Sequence, residues 1–174
     1  MFYYHLEYEI DATLHEKLMN LALNIPYSVH VPPNQTSQSL QVSSVYDANM
    51  IKYDIVTQIE KLLHPDLCFS HSAFLKFPKN KGIDPHIDLN LKRQTCLVWA
   101  LHPNLDNFAP VTFYDNDLQP FKVFYRKTPM LLNTQKKHSV ENTNFDRYSF
   151  QICFNEHIDQ IYTFHKRNGI FVNT

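Results

Sequence analysis

The chain has 174 residues, 44% of them hydrophobic and 19% charged, which excludes a disordered chain and suffices for one substantial core. The formal net charge is −1, so no global field draws the protein to nucleic acid or to an anionic membrane. Only two glycines, Gly82 and Gly169, are present, too few for a glycine-rich phosphate loop or a dinucleotide fingerprint.

The opening, MFYYHLEYEI, reads as a short strand and lacks the basic start and apolar stretch of a signal peptide. No run is long enough to span a bilayer, so the expected location is the cytoplasm. Asp11 is placed to cap a helix whose apolar stripe is Leu14, Leu18, Leu21 and Ala22, and Pro26 ends it. Residues 32–44 are rich in Pro, Asn, Gln, Thr and Ser. They predict a polar loop with a short strand at its end, and a candidate substrate lid. Asp47 then opens a second helix carrying Ile51, Ile55, Ile59 and Leu62 on one face.

From residue 66 the pattern changes. Short apolar and aromatic runs at 67–77, 95–101, 111–114, 121–125, 130–132 and 148–154 alternate with turn residues, and 14% of the chain is aromatic. This spacing predicts an antiparallel sandwich or barrel with the two early helices packed on its outside. The expected organisation is one domain, with a helical support region at 1–65, a β core at 66–154 and an extension at 155–174. That extension admits either a helix or an arm returning over the sheet. Cys68, Cys96 and Cys153 are odd in number, widely spaced and set in apolar runs, which reads as reduced core thiols.

Within the β region, His86-Ile87-Asp88 is followed by His138 and then by Arg147-Tyr148-Ser149. Side chains at i and i+2 of a strand share a face, so His86 and Asp88 project together. Pro85 favours the end or edge of that strand. Two imidazoles and a carboxylate are a ligand set that holds a non-haem Fe(II) and leaves coordination positions open. With ten histidines some His-X-Asp is unsurprising, and a second copy, His157-Ile158-Asp159, exists. That copy has no arginine in the corresponding downstream position and reads as an ordinary surface pair. In the final run, alternation puts Arg147, Ser149, Gln151 and Cys153 on one face. An inward arginine is costly unless paired. The far carboxylate of a dicarboxylate, gripped by the guanidinium and hydrogen-bonded by Ser149, would satisfy it.

Taken together these residues resemble the 2-oxoglutarate- and Fe(II)-dependent oxygenases, whose pattern is His-X-Asp, a distal His and then Arg-X-Ser. The resemblance covers roughly residues 74–154. Phe74-Leu75-Lys76-Phe77 leading to Gly82 is similar to the family's approach to its first histidine, and Arg93-Gln94-Thr95 is similar to prolyl-hydroxylase-like members. Leu132-Asn133-Thr134 followed by His138-Ser139-Val140 is similar to the distal strand of amino-acid and peptide hydroxylases. The resemblance implies a mainly β fold with flanking helices, a double-stranded β-helix (jelly-roll or cupin-like). It implies His86, Asp88 and His138 as Fe(II) ligands, and Arg147 and Ser149 as the grip on 2-oxoglutarate. Family members often place Tyr or Asn where Leu75 and Phe77 stand, so Thr95 and Trp99 become the candidates for further co-substrate contacts. The implied activity is a dioxygenase that consumes O2, converts 2-oxoglutarate to succinate and hydroxylates an amino-acid, peptidyl or similar small substrate.

Lys76, Lys79, Lys81, Lys92, Arg93, Lys136 and Lys137 flank the ligands, which would favour an anionic substrate if they ring the mouth. Tyr3, Tyr4 and Trp99 are candidate pocket residues. Two other classes share the triad. A zinc hydrolase uses the same ligands to activate water, and a cupin-like protein binds a ligand without turnover.

Overall fold

The computed structural model describes residues 1–6, 12–30, 40–44, 67, 69–88, 93–102, 108–115, 119–168 and 172–173. Its elements are β1 (Tyr3–Leu6), α1 (Ala12–Asn24), β2 (Ser28–His30), β3 (Leu40–Ser44), β4 (Phe69–Phe77), β5 (Ile83–His86), β6 (Thr95–Leu101), β7 (Val111–Phe113), β8 (Phe121–Val123), β9 (Met130–Asn133), β10 (His138–Val140), β11 (Arg147–Phe154), α2 (Ile158–Arg167) and β12 (Val172–Asn173). The six apolar runs of the β region all become strands. The second predicted helix and most of the 32–44 loop lie outside the described residues. The strand expected at that loop's end is β3.

Among the described residues two antiparallel sheets form. The larger runs β12-β1-β9-β6-β11-β4-β3-β2 and the smaller β5-β10-β7-β8. The period of two along each strand divides the apolar residues into two cores. Cys96 and Val98 of β6, Met130 and Leu132 of β9 and Cys153 of β11 pack with Val111, Phe113 and Val123 of the smaller sheet. The two sheets therefore face each other. The intervening residues Leu97, Trp99, Leu101, Leu131, Phe150, Ile152 and Phe154 point the other way, into a second core with Leu18 and Ala22 of α1 and Ile158 and Ile161 of α2. Each such fully buried aliphatic or aromatic side chain contributes roughly 1.5–3 kcal/mol.

Helix α1 follows its predicted stripe, burying Leu18 and Ala22 while Leu14 and Leu21 pack at the margin. The other described flanking helix comes from the C-terminal segment. There the identical His157-Ile158-Asp159 copy serves as a cap. His157 is the N-cap of α2: its Nδ1 accepts from the Asp159 amide, and the Gln160 side chain accepts from the His157 amide. After this helix, β12 returns to pair with β1, so the extension supplies both a helix and an arm. Among the described residues no helix is long and apolar enough to cross a membrane.

Candidate metal centre

Strand pairing, rather than loop shape, assembles the predicted ligands. His86, the last residue of β5, is the direct partner of His138, the first of β10. On its other side His138 pairs with Phe113 of β7, whose inward face is fixed by its place in the inter-sheet core. Asp88 lies just past β5, held where its amide donates to the Thr134 carbonyl at 3.0 Å. Its own carbonyl accepts from the Gln135 amide nitrogen at 2.8 Å. One potential ligand atom from each of His86, Asp88 and His138 lies within 4.8 Å of the others. His86 and Asp88 are partly exposed and His138 is buried, so the cluster sits at the mouth of the inter-sheet space.

Both imidazoles are oriented by carbonyl groups. Nδ1 of His86 meets the Asp84 carbonyl at 2.8 Å, and Nδ1 of His138 meets the Lys136 carbonyl at 2.8 Å. A carbonyl only accepts, so each Nδ1 carries the hydrogen and each Nε2 is the atom left to face a metal. Nε2 of His86 lies 3.3 Å from an Asp88 carboxylate oxygen. Burial disfavours the charged form of both members of this pair. The interaction between them outweighs it, raising the His86 pKa and lowering that of Asp88. His138 is shifted down, first by burial and then by His86 beside it. Two nitrogen donors and one carboxylate oxygen, with solvent on one side, fit an open-faced Fe(II) or Zn(II) site.

The alternation expected in the last strand holds. Arg147, Ser149, Gln151 and Cys153 pair with Phe77, Leu75, Ala73 and His71 of β4, and Ser149, Gln151 and Cys153 with Ala100, Val98 and Cys96 of β6. They share the inter-sheet face. Arg147 is fully buried, with its guanidinium carbon 4.8 Å from the Phe77 ring centre and 5.8 Å from that of Phe108. One guanidinium nitrogen donates to the Lys81 carbonyl at 3.1 Å. Among the described residues its Nε and Nη1 have no partner, nor does the buried Ser149 hydroxyl. Burial pulls the Arg147 pKa down, and Tyr125 acts in the opposite sense. Unused donors on a buried cation are expensive. A carboxylate seated against Arg147 and Ser149 would satisfy them, so these residues fit the dicarboxylate implied by the sequence.

Other expectations are corrected. Thr95 does not join the site. It lies on the alternation face of Leu97 and Trp99, and its hydroxyl donates to the Glu156 carbonyl at 2.9 Å. Trp99 and Tyr4 belong to the core beneath the helices. Tyr3 alone of the three aromatics faces the inter-sheet space, stacked on Phe113. Of the flanking cations, Lys76 is paired with Asp146 at 3.1 Å, while Lys136 and Lys137 lie over the Phe2 and Tyr114 rings. Lys92 is outside the described residues. The sequence does not single out Gln135, which braces the Asp88 backbone, and it marks Arg93 only as a cation near the mouth, whereas its guanidinium lies beside Asp88 and Cys153. It also missed Phe77 and Phe108, the walls around Arg147. Only the short Asn133–Lys136 turn ahead of His138 carried a hint, since its carbonyls and side chains had to meet something.

No protein-family model and no curated protein sequence matches the chain. Solved structures do. A prolyl-4-hydroxylase from Pseudomonas putida superposes with a TM-score of 0.66 at 13% identity, covering 88% of this chain and 92% of that one. A prolyl hydroxylase from Trichoplax adhaerens, in complex with a hypoxia-inducible-factor peptide fragment, gives 0.64 at 13% identity over 90% and 83%. The chain has the fold of the 2-oxoglutarate- and Fe(II)-dependent oxygenases. Not every protein of this shape is named a hydroxylase. The epimerase SnoN, in complex with Fe3+ and alpha-ketoglutarate, gives 0.57 at 11% identity over 86% of this chain and 77% of SnoN.

Proposed function

We propose that the chain is an Fe(II)- and 2-oxoglutarate-dependent dioxygenase that hydroxylates an amino-acid, peptidyl or similar small substrate. The observation that carries this reading is the buried Arg147–Ser149 face, with three polar atoms that have no partner among the described residues, in the same inter-sheet space as the His86–Asp88–His138 cluster. A zinc hydrolase has use for the three ligands but none for such a face.

In this reading His86, Asp88 and His138 hold Fe(II) through two imidazole nitrogens and one carboxylate oxygen. Arg147 and Ser149 bind the far carboxylate of 2-oxoglutarate. When bound, iron and co-substrate supply the activation of dioxygen, with 2-oxoglutarate leaving as succinate and carbon dioxide. The chain's own work is orientation and exclusion. The carbonyls of Asp84 and Lys136 fix the imidazole tautomers. Phe77 and Phe108 enclose the guanidinium in a dry environment, where its pairing with a carboxylate is strong and directional. The partly exposed side of His86 and Asp88 is left for the substrate. The exposed Lys136 and Lys137, immediately before His138, favour a substrate with negative charge.

The test is anaerobic titration of the protein with Fe(II) and 2-oxoglutarate, followed by admission of oxygen. The expected result is a visible charge-transfer absorption that needs both additions, then succinate formation. Metal-independent binding of 2-oxoglutarate, or ester hydrolysis supported by Zn(II) without it, would overturn the reading.

A further inference from the structure

Two cysteines that are far apart in sequence meet inside the sheet. Cys96 of β6 and Cys153 of β11 are direct cross-strand partners, and their sulfurs lie 3.3 Å apart. Directly opposed residues of an antiparallel pair have Cα atoms about 4.5–5.5 Å apart, inside the range of about 4.4–6.8 Å that a disulfide spans. Closing the bond therefore needs side-chain rotation and no strand movement.

The surroundings give the two sulfurs different roles. Cys96 also approaches the Gln151 side-chain oxygen at 3.4 Å. The Cys153 thiol is shifted down, first by the hydrogen bond from Cys96 and then by the buried Arg93 guanidinium, which is also hydrogen-bonded to it. Cys96 is shifted up by the same shared proton and by burial. Cys153 is thus the nucleophile and Cys96 the resolving thiol. Arg93 interacts with Asp88 as well as with Cys153, so one cation faces both the thiol pair and a metal ligand. Both sulfurs are buried, so only a small oxidant suits the pair.

We propose that Cys96 and Cys153 are a hydroperoxide-oxidisable dithiol coupled through Arg93 to the metal ligand Asp88. The Cys153 thiolate attacks one peroxide oxygen. The O–O bond breaks, leaving a sulfenic acid on Cys153 and an alkoxide or hydroxide that takes up a proton. The Cys96 sulfur then attacks the Cys153 sulfur; the S–O bond breaks, the S–S bond forms, and the hydroxyl leaves with the Cys96 proton as water. The dithiol loses two electrons and two protons, and the hydroperoxide is reduced to an alcohol and water. Arg93 then faces a neutral disulfide and turns its charge on the Asp88 carboxylate alone, which weakens that carboxylate as a metal ligand. The coupling rests on the metal reading of His86, Asp88 and His138, whereas disulfide formation does not.

The experiment treats the full metal-free chain with stoichiometric hydrogen peroxide. Remaining thiols are trapped with a maleimide, peptides are mapped by mass spectrometry, and Mn(II) binding is measured before oxidation, after it and after re-reduction. A Cys96–Cys153 linked peptide is expected, with Cys68 still alkylated. Mn(II) affinity is expected to fall on the order of tenfold, the size of effect that a change in an outer partner of a metal ligand has, and to recover with reductant. Cys153→Ala should show no peroxide-dependent change in affinity, and the oxidised and re-reduced wild type decides the matter if that variant fails to fold. Alkylation of both cysteines after peroxide overturns the dithiol. A linked peptide with unchanged Mn(II) affinity overturns the coupling. Absence of Mn(II) binding in every state overturns the metal reading and the coupling, while the linked peptide still decides the dithiol.

Discussion

His138 faces His86 directly across the β5–β10 ladder, with their ring centres 4.4 Å apart. Cross-strand pairing fixes this relationship, and the register shift between His138 and Val140 bends the strand just beyond it, as bulges do where a side chain must be aimed. Two imidazolium ions at that spacing would repel each other. Charge is therefore favoured on His86, beside Asp88, and disfavoured on the buried His138, and a metal taking both Nε2 atoms would displace the proton from His86.

Replacement of His138 by Ala removes the most buried of the three ligands. Mn(II) affinity, read from the resonance of free Mn(II), should fall by the order of 100-fold or more, because even outer partners of metal ligands are worth about 10- to 100-fold. Gln135→Ala removes only a brace on the Asp88 backbone and should cost far less. Equal losses in the two variants would remove the case for His138 as a ligand.

Arg147 sets function against stability. Two of its guanidinium nitrogens are buried without partners among the described residues, and replacing such a buried charge by an apolar side chain of similar volume is often neutral or stabilising. Arg147→Met should therefore unfold in urea with a free energy equal to wild type or up to about 2 kcal/mol higher. The thermal shift caused by 2-oxoglutarate with Mn(II) should disappear, and Mn(II) binding alone should persist. Arg147→Lys should not restore the shift, since an ammonium lacks the planar fork. A Lys variant that responds to 2-oxoglutarate like wild type would contradict this.

Gly82 is required by a close approach of backbone rather than by its own dihedral angles. A Cβ there would lie 2.3 Å from the Val140 carbonyl oxygen, so the lead-in to β5 would have to move away from β10. Gly82→Ala should cost about 1–3 kcal/mol, the usual range for overpacking. Because the same strand pair carries His86 and His138, it should also weaken Mn(II) binding. Loss of stability with unchanged metal affinity would separate the glycine from the site.

The triad, the arginine and the serine were legible because strand alternation and a two-residue ligand spacing are local properties. Arg147 and Ser149 share a face whatever pairs with them. Thr95 was misplaced for the same reason in reverse. Its strand reads apolar on both faces, so periodicity does not say which side faces the smaller sheet, and the pairing with β11 does. The cysteine pair was beyond reach. Cys96 and Cys153 are neighbours only through the register of β6 on β11, a long-range pairing that no local pattern encodes. The second His-X-Asp shows the converse: identical triplets differ in role because one ends a strand beside β10 and the other caps a helix.

His5 gives a pH dependence whose sign can be worked out. It is buried on β1, its Nδ1 has no partner among the described residues, and burial, followed by the nearby Arg126, lowers its pKa to about 4. The unfolded chain takes up this proton near the ordinary value of about 6.5. On acidification from neutral pH the unfolded state is therefore protonated first. The contribution to stability is complete above about pH 6.5, falls as the pH drops from 6.5 towards 4, and changes no further below that. The full shift corresponds to about 3–4 kcal/mol, which is the upper bound on the loss. His5→Gln removes this titration while leaving every other group in place. Urea midpoints of the two proteins, compared from pH 7 to pH 4, should show wild type losing more stability than the variant. Parallel curves across that window would mean that the imidazole accepts its proton in the folded state as readily as in the unfolded one.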